Sequence, residues 1–220
     1  MAVLMQQELD ALKKALLELS AEVEGRVKQA VQALLTGDLK LAKKVKTGDA
    51  QIDNMEIALE EEGLKILALH QPVATDLRFI ISVLKINNDL ERVADLAVNV
   101  ADRAIDLEGV ARLECPYDVA TMADLAEKML KMALDSLVES DTQLARQTIK
   151  LDDDVDNMHK ANFSCIKEAI RNDVKDLDGL VLYLSISRYL ERMADLATNI
   201  AEDVVYQVDG EIIRHGGIQD

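Results

Sequence analysis

The chain carries Leu90-Glu91-Arg92-Val93-Ala94-Asp95-Leu96-Ala97-Val98-Asn99 and, 100 residues later, Leu190-Glu191-Arg192-Met193-Ala194-Asp195-Leu196-Ala197-Thr198-Asn199. The two stretches match at eight of ten positions, which indicates an internal duplication. Each copy places Glu, Asp and Asn at i, i+4 and i+8. This spacing stacks three oxygen-bearing side chains along one stripe of a helix. The sequence therefore predicts a helical unit that occurs twice and carries the same polar stripe each time.

The composition favours helices throughout. Hydrophobic residues make up 49% of the 220 residues, but aromatic residues only 3%. An apolar set of Leu, Ala, Val, Ile and Met packs helices well and lacks the aromatic enrichment of strands. We expect an all-α fold of two tandem, pseudo-symmetric three-helix bundles. The first would span residues 1–109, and the second residues 110–220 with a frayed tail.

Helical periodicity and capping residues divide the chain into six long segments. Short connections between them make neighbouring helices antiparallel. The predicted helices span residues 2–35, 38–69, 74–107, 118–140, 141–172 and 177–208.

A second repeated motif lies one helix before the first. Asp49-x-x-x-Asp53 corresponds to Asp152-x-x-x-Asp156, so each repeat has one pair of acids on its second helix and another on its third. Asp53 lies 19 residues before Pro72 and Glu91 lies 19 after it, and equal offsets in an antiparallel pair mean equal height. We therefore expect four carboxylates to meet in each bundle: Asp49, Asp53, Glu91 and Asp95 in the first, and Asp152, Asp156, Glu191 and Asp195 in the second.

Four neighbouring carboxylates repel one another unless a cation compensates their charge. Oxygen ligands suit hard or borderline ions such as Mg, Ca, Mn or Fe. The plainer alternative is a solvated acidic face that pairs locally with Arg92 and Arg192. His159 would add a nitrogen ligand in the second repeat only, where the first repeat has Glu56. The further candidate ligands are Asn99, Asp102, Asn199 and Glu202.

Several classes of function are disfavoured by the sequence. A formal net charge of −16 opposes binding to nucleic acid, which needs clustered cations. No apolar run is long enough to span a membrane and no leader precedes the first helix, so we expect a cytoplasmic protein. Cys115 and Cys165 have no ligand spacing and are expected to stay reduced. The chain also lacks a nucleophile motif and a nucleotide-binding loop, so we expect no enzymatic activity.

With these motifs, residues 4 to 210 resemble the PhoU family of phosphate-signalling regulators. The resemblance rests on Gln71-Pro72-Val73-Ala74-Thr75-Asp76-Leu77-Arg78, the two Leu-Glu-Arg-x-Ala-Asp stretches, Ala197-Thr198-Asn199-Ile200-Ala201-Glu202 and the paired acids. It implies two similar three-helix bundles whose acidic motifs bind metal clusters, often of iron or zinc. It also implies a cytoplasmic adaptor, frequently a homodimer, that docks at the membrane between a phosphate ABC transporter with its ATPase and a sensor histidine kinase.

The chain departs from the family pattern beside the motif aspartates. Family members usually have Gly before this Asp and Glu or His after it, whereas here the flanking residues are Ala94 with Leu96 and Ala194 with Leu196. Loss of a polar neighbour can weaken or change metal binding, although the principal acids remain.

The leading hypothesis is an adaptor that represses the phosphate-starvation response when phosphate is plentiful. Asp76 and Arg78 are its candidate partner-contact residues. Two alternatives remain open at this point: a carboxylate-bridged metalloenzyme, such as a phosphatase or oxidase, and a helical scaffold with vestigial acids.

Overall fold

A computed structural model describes residues 2–110, 114–172 and 177–213. These residues form seven helices and contain no strand, which confirms the all-α prediction. The first bundle is built from α1, the pair α2 and α3, and α4, and the second from α5, α6 and α7. The helices are α1 Ala2–Thr36, α2 Leu39–Thr47, α3 Asp49–His70, α4 Ala74–Glu108, α5 Val119–Glu139, α6 Thr142–Asn172 and α7 Leu177–Asp209.

The helix ends lie close to where turn and capping residues place them. Asp38 accepts hydrogen bonds from the backbone N–H groups of Lys40 and Leu41 at the start of α2. Asp118 caps α5 in the same way. At the other end of α5, Ser140 adopts a left-handed conformation with φ of 56°. Side-chain oxygens thus satisfy N–H groups that have no partner inside the helix.

The prediction of one continuous helix over residues 38–69 is wrong at Gly48, where the helix breaks between α2 and α3. The buried Arg26 side chain reaches this break from α1. It donates hydrogen bonds to the carbonyl oxygens of Val45 and Gly48, at 2.8 and 3.0 Å. A Cβ atom at position 48 would lie 2.8 Å from the Arg26 guanidinium, so any larger residue there would displace the guanidinium. The corresponding helix of the second repeat, α6, is unbroken.

The two bundles pack against each other mainly through α4 and α7. Lys85, in the first half of α4, pairs with Asp203, near the end of α7, at 2.9 Å, so the two helices run antiparallel. Lys85 precedes Ala94 by nine residues and Asp203 follows Ala194 by nine, which places these two buried alanines at the middle of the contact. Their small side chains allow the helices to approach closely, and one continuous hydrophobic core joins both repeats.

None of the helices in the described ranges is both long and apolar enough to cross a membrane.

Candidate metal centre

In the second repeat, α6 and α7 bring three of the predicted acids together. One carboxylate oxygen from each of Asp156, Glu191 and Asp195 lies within 4.8 Å of the other two. Asp156 comes from α6 and the other two residues come from successive turns of α7, as the matched heights predict. Three oxygens at this separation can share one cation, so the donor set fits an oxygen-liganded metal. We call these three residues the second-repeat triad.

The fourth predicted acid of this repeat, Asp152, belongs to the same electrostatic group. The pKa of Asp152 is raised from its ordinary value to about 6, first by burial and then by the charges of Asp195 and Asp156. The pKa of Asp195 is also raised to about 6, first by burial and then by Glu191 and Asp156. Like charge and partial burial thus disfavour full ionisation of the cluster. A bound cation would remove that penalty.

The described acids of the first repeat lie farther apart than the second-repeat triad. Burial raises the pKa of Glu91, and Asp95, Glu56 and Asp53 raise it further in that order. The pKa of Asp95 is raised by burial and then by Asp53. Within the part of the chain that the structure describes, no three acids of this repeat come as close as the second-repeat triad. The side chain of Asp49 lies outside the described residues, so its predicted role stays a prediction.

The sequence predicts no ligand role for Glu56, which occupies the position of His159 in the first repeat. In the structure Glu56 lies among the acids of that repeat. Its own pKa is raised by burial and then by Glu60 and Asp53. Asn87 donates hydrogen bonds to its backbone oxygen and to its Oε1, at 3.0 and 3.2 Å. The sequence does contain one sign of this role for Glu56: the register that aligns Asp53 with Asp156 also aligns Glu56 with His159.

The two repeats meet at a cleft whose two walls have matching residues. Asp95 and Asn99 of α4 face it, as do Asp195 and Asn199 of α7. The candidate ligands Asn99 and Asn199 therefore lie beside the aspartates that the sequence pairs them with. The cleft has a volume of about 510 Å³, and its walls are completed by Arg92, Leu96, Arg192 and Leu196.

Four other residues, two predicted as ligands and two as partner contacts, lie away from the second-repeat triad. Asp102 pairs with Lys46 of α2 at 2.9 Å. Glu202 lines a small cavity of about 130 Å³ that also contains Lys85. Neither residue belongs to the second-repeat triad. Asp76 is half-buried in the first turn of α4.

Arg78, the second predicted partner-contact residue, is also half-buried. Its guanidinium lies against Gly210, which has a φ of +75°, at the end of α7. Arg78 thus lies between the start of α4 and the end of α7.

The model of the PhoU domain matches the chain twice, at residues 16–104 and 119–204. A "phosphate-specific transport system accessory protein PhoU homolog" from Pseudomonas putida is 36% identical over 213 residues, which is 96% of this chain and 83% of the relative. A similarly named protein from Thermotoga maritima is 33% identical over 210 residues, covering 95% of this chain and 90% of the relative. These names describe accessory proteins, not enzymes, in agreement with the expectation of a non-enzymatic protein.

Solved structures agree with the sequence comparisons. The crystal structure of PhoU from Pseudomonas aeruginosa has a TM-score of 0.90 and 37% identity, and covers 94% of this chain and 99% of that one. The phosphate transport system regulatory protein PhoU from Streptococcus pneumoniae has a TM-score of 0.88 and 27% identity, and covers 96% and 100%. The fold therefore matches these structures over nearly its whole length.

Proposed function

Because the chain belongs to the PhoU family, we propose that it regulates a phosphate-specific transport system by contact with partner proteins. The observation that carries this proposal is the double match to the PhoU domain, one for each repeat. The relatives are named accessory or regulatory proteins of phosphate transport, which supports an association with a transporter.

The finer form of the proposal is an adaptor between the ATPase of a phosphate ABC transporter and a sensor histidine kinase. A net charge of −16 suits docking against basic protein surfaces and opposes direct binding to promoter DNA. Charge of this kind mainly sets the encounter rate and its salt dependence. Asp76 and Arg78 remain the candidate contact residues, because both are only half-buried at the start of α4.

We further propose that the acidic clusters hold cations. Asp156, Glu191 and Asp195 are the residues best placed to do so, with Asp152 beside them. A bound cation would supply positive charge, which offsets the repulsion between carboxylates. It would also tie α6 to α7, since the ligands come from both helices.

The regulatory role is tested by deleting the gene and following a phosphate-responsive reporter. In phosphate-rich medium we expect reporter expression to become constitutively high, because the contact that represses the kinase is lost. The wild-type gene supplied in trans should restore repression. A variant with Asp76→Asn and Arg78→Gln should restore it less well if these residues make the contact. A deletion strain that stays repressed, with phosphate uptake unchanged, would reject the regulatory role.

Metal holding is tested separately by thermal unfolding of chelator-treated protein. A cation that binds only the folded state should stabilise it by about 2.7 kcal/mol at a hundredfold excess over its dissociation constant. A melting temperature that Fe, Zn, Mn and Mg all leave unchanged would contradict the proposal that the clusters hold cations.

A further inference from the structure

The two acidic clusters differ in chemistry at one position. Glu56 follows Asp53 by three residues in the first repeat, and His159 follows Asp156 by three residues in the second. Side chains three residues apart lie on the same face of a helix. The duplication has thus put a carboxylate and an imidazole at equivalent places beside the two clusters.

Hydrogen bonding fixes how the His159 ring is presented. Its Nδ1 lies 2.9 Å from the hydroxyl of the buried Ser187. That hydroxyl also accepts a hydrogen bond from Asn162 at 3.1 Å and donates one to the Met122 sulfur at 3.5 Å. The Ser187 hydroxyl can accept a hydrogen bond from the His159 tautomer that carries its proton on Nδ1. This tautomer leaves a lone pair on Nε2.

The imidazole also shares its surroundings with the acids. His159 lines a cleft of about 590 Å³ with Glu191 and Asp195, and it lies close enough to Asp195 for its protonated form to lower the pKa of that carboxyl. Histidines that bind metals in proteins typically donate their other ring N–H to a fixed acceptor, which orients the ring. Ser187 is placed to act as such an acceptor, and it belongs to α7, as Glu191 does.

The first repeat supports its equivalent residue with different chemistry. Asn87, the counterpart of Ser187, holds the Glu56 carboxylate by donating to Oε1. A carboxylate accepts this hydrogen bond and still has oxygen lone pairs for a cation. The atoms that the described acidic cluster of the first repeat can offer to a cation are therefore all oxygens.

We propose that the two repeats prefer different cations, with His159 as a nitrogen ligand in the second repeat and Glu56 as an oxygen ligand in the first. Imidazole suits zinc and ferrous iron, whereas an all-carboxylate set suits Mg²⁺ or Mn²⁺. The second repeat therefore has the higher ratio of zinc to manganese affinity. This inference rests on the proposed role of the clusters in holding cations.

The test uses the full chain, freed of metal by chelation and titrated separately with Zn²⁺ and Mn²⁺. The chain has only three histidines, so ring nitrogen resonances can be assigned by NMR. We expect zinc to shift the Nε2 resonance of His159 while Nδ1 keeps its proton. His159→Glu, which makes the second repeat resemble the first, should weaken the tighter zinc site at least about tenfold and change manganese affinity far less.

Two variants complete the design. Glu56→His, the reciprocal change, should strengthen zinc binding at the first repeat by about tenfold. His70→Gln is the matched control, because His70 pairs with Glu8 and lies outside both clusters. It should leave both zinc affinities unchanged. Far-UV circular dichroism checks that each variant is folded.

A His159 resonance unmoved at saturating zinc would overturn the inference, as would unchanged zinc affinity in His159→Glu. Either result with metal still bound leaves the wider cation-holding role intact. A wild-type chain that binds neither metal overturns both this inference and that role. The reporter experiment is independent of these outcomes, because it measures regulation and not metal binding.

Discussion

At the scale of single residues, burial and mutual repulsion of the second-repeat acids give the folded protein a pH-dependent free energy. The pKa values of Asp152 and Asp195 are raised to about 6 in the folded protein. Raised carboxylate pKa values favour folding below the ordinary value of 3.8, and this contribution is lost as the pH rises through 6. Without metal, the cluster is therefore least favourable to folding at neutral and alkaline pH.

Asp195→Asn should therefore stabilise the metal-free protein at pH 7.5 but not at pH 4. The gain is limited to about 2 °C in melting temperature, because the side chain of Asp195 is partly solvated. With a saturating cation the sign should reverse, since a ligand is missing. Thermal unfolding at the two pH values measures both effects. Asp154→Asn, which removes an exposed charge from α6, is the control; an equal gain from it would point to net charge instead.

The heights of the acids along their helices could be predicted from the sequence, because helix rise and equal offsets from a turn fix them. Asp156, Glu191 and Asp195 meet accordingly. The sequence register points to Glu56 as the counterpart of His159, but the hydrogen bond from Asn87 on the neighbouring helix that holds its carboxylate could not be predicted. Side-chain pairing between helices depends on helix rotation, and periodicity alone does not determine rotation closely enough.

At the scale of helices, the break at Gly48 distinguishes the two repeats. Gly63 lies inside α3 without a break, so glycine alone does not predict one. The difference at Gly48 is the guanidinium of Arg26, which satisfies two carbonyl oxygens next to the break. This residue lies 22 positions away in the chain. The interruption is therefore a tertiary feature that local sequence does not reveal.

Arg26→Met should destabilise the fold by about 3 kcal/mol, because two charge-assisted hydrogen bonds are lost and their carbonyl acceptors stay buried. Urea unfolding followed by circular dichroism measures this free energy. Lys28→Met on the same helix is the control, since its side chain is exposed and pairs with Glu24 one turn away. It should cost less than about 0.5 kcal/mol. Similar losses in the two variants would show that Arg26 does not secure the break.

At the scale of the whole molecule, the two repeats are joined by the antiparallel packing of α4 and α7. Lys85 pairs with the buried Asp203 across this contact, and its ammonium lies 5.2 Å from the centre of the Tyr206 ring. The pair is partly shielded from water, so it interacts more strongly than an exposed pair. The ion pair therefore couples α4 to α7 across the contact between the two repeats.

A double-mutant cycle of Lys85→Met and Asp203→Asn should give a coupling free energy of about 1 to 2 kcal/mol. The corresponding cycle on the exposed Lys131 and Asp135 of α5 should give less than about 0.5 kcal/mol. Urea unfolding of the four proteins in each cycle supplies the values. Additive effects at positions 85 and 203 would show that the ion pair does not couple the repeats.

The pairing of Lys85 with Asp203 also has a consequence for self-recognition. The counterpart of Asp203 in the first repeat is Arg103. If two first repeats associated in the geometry of α4 and α7, Lys85 of each would face Arg103 of the other, and two cations would meet at both ends of the contact. Pairing between two first repeats is thus penalised, whereas the pairing of the first repeat with the second within one chain is favoured. This difference in charge at one pair of positions favours contact between a first and a second repeat over contact between two first repeats.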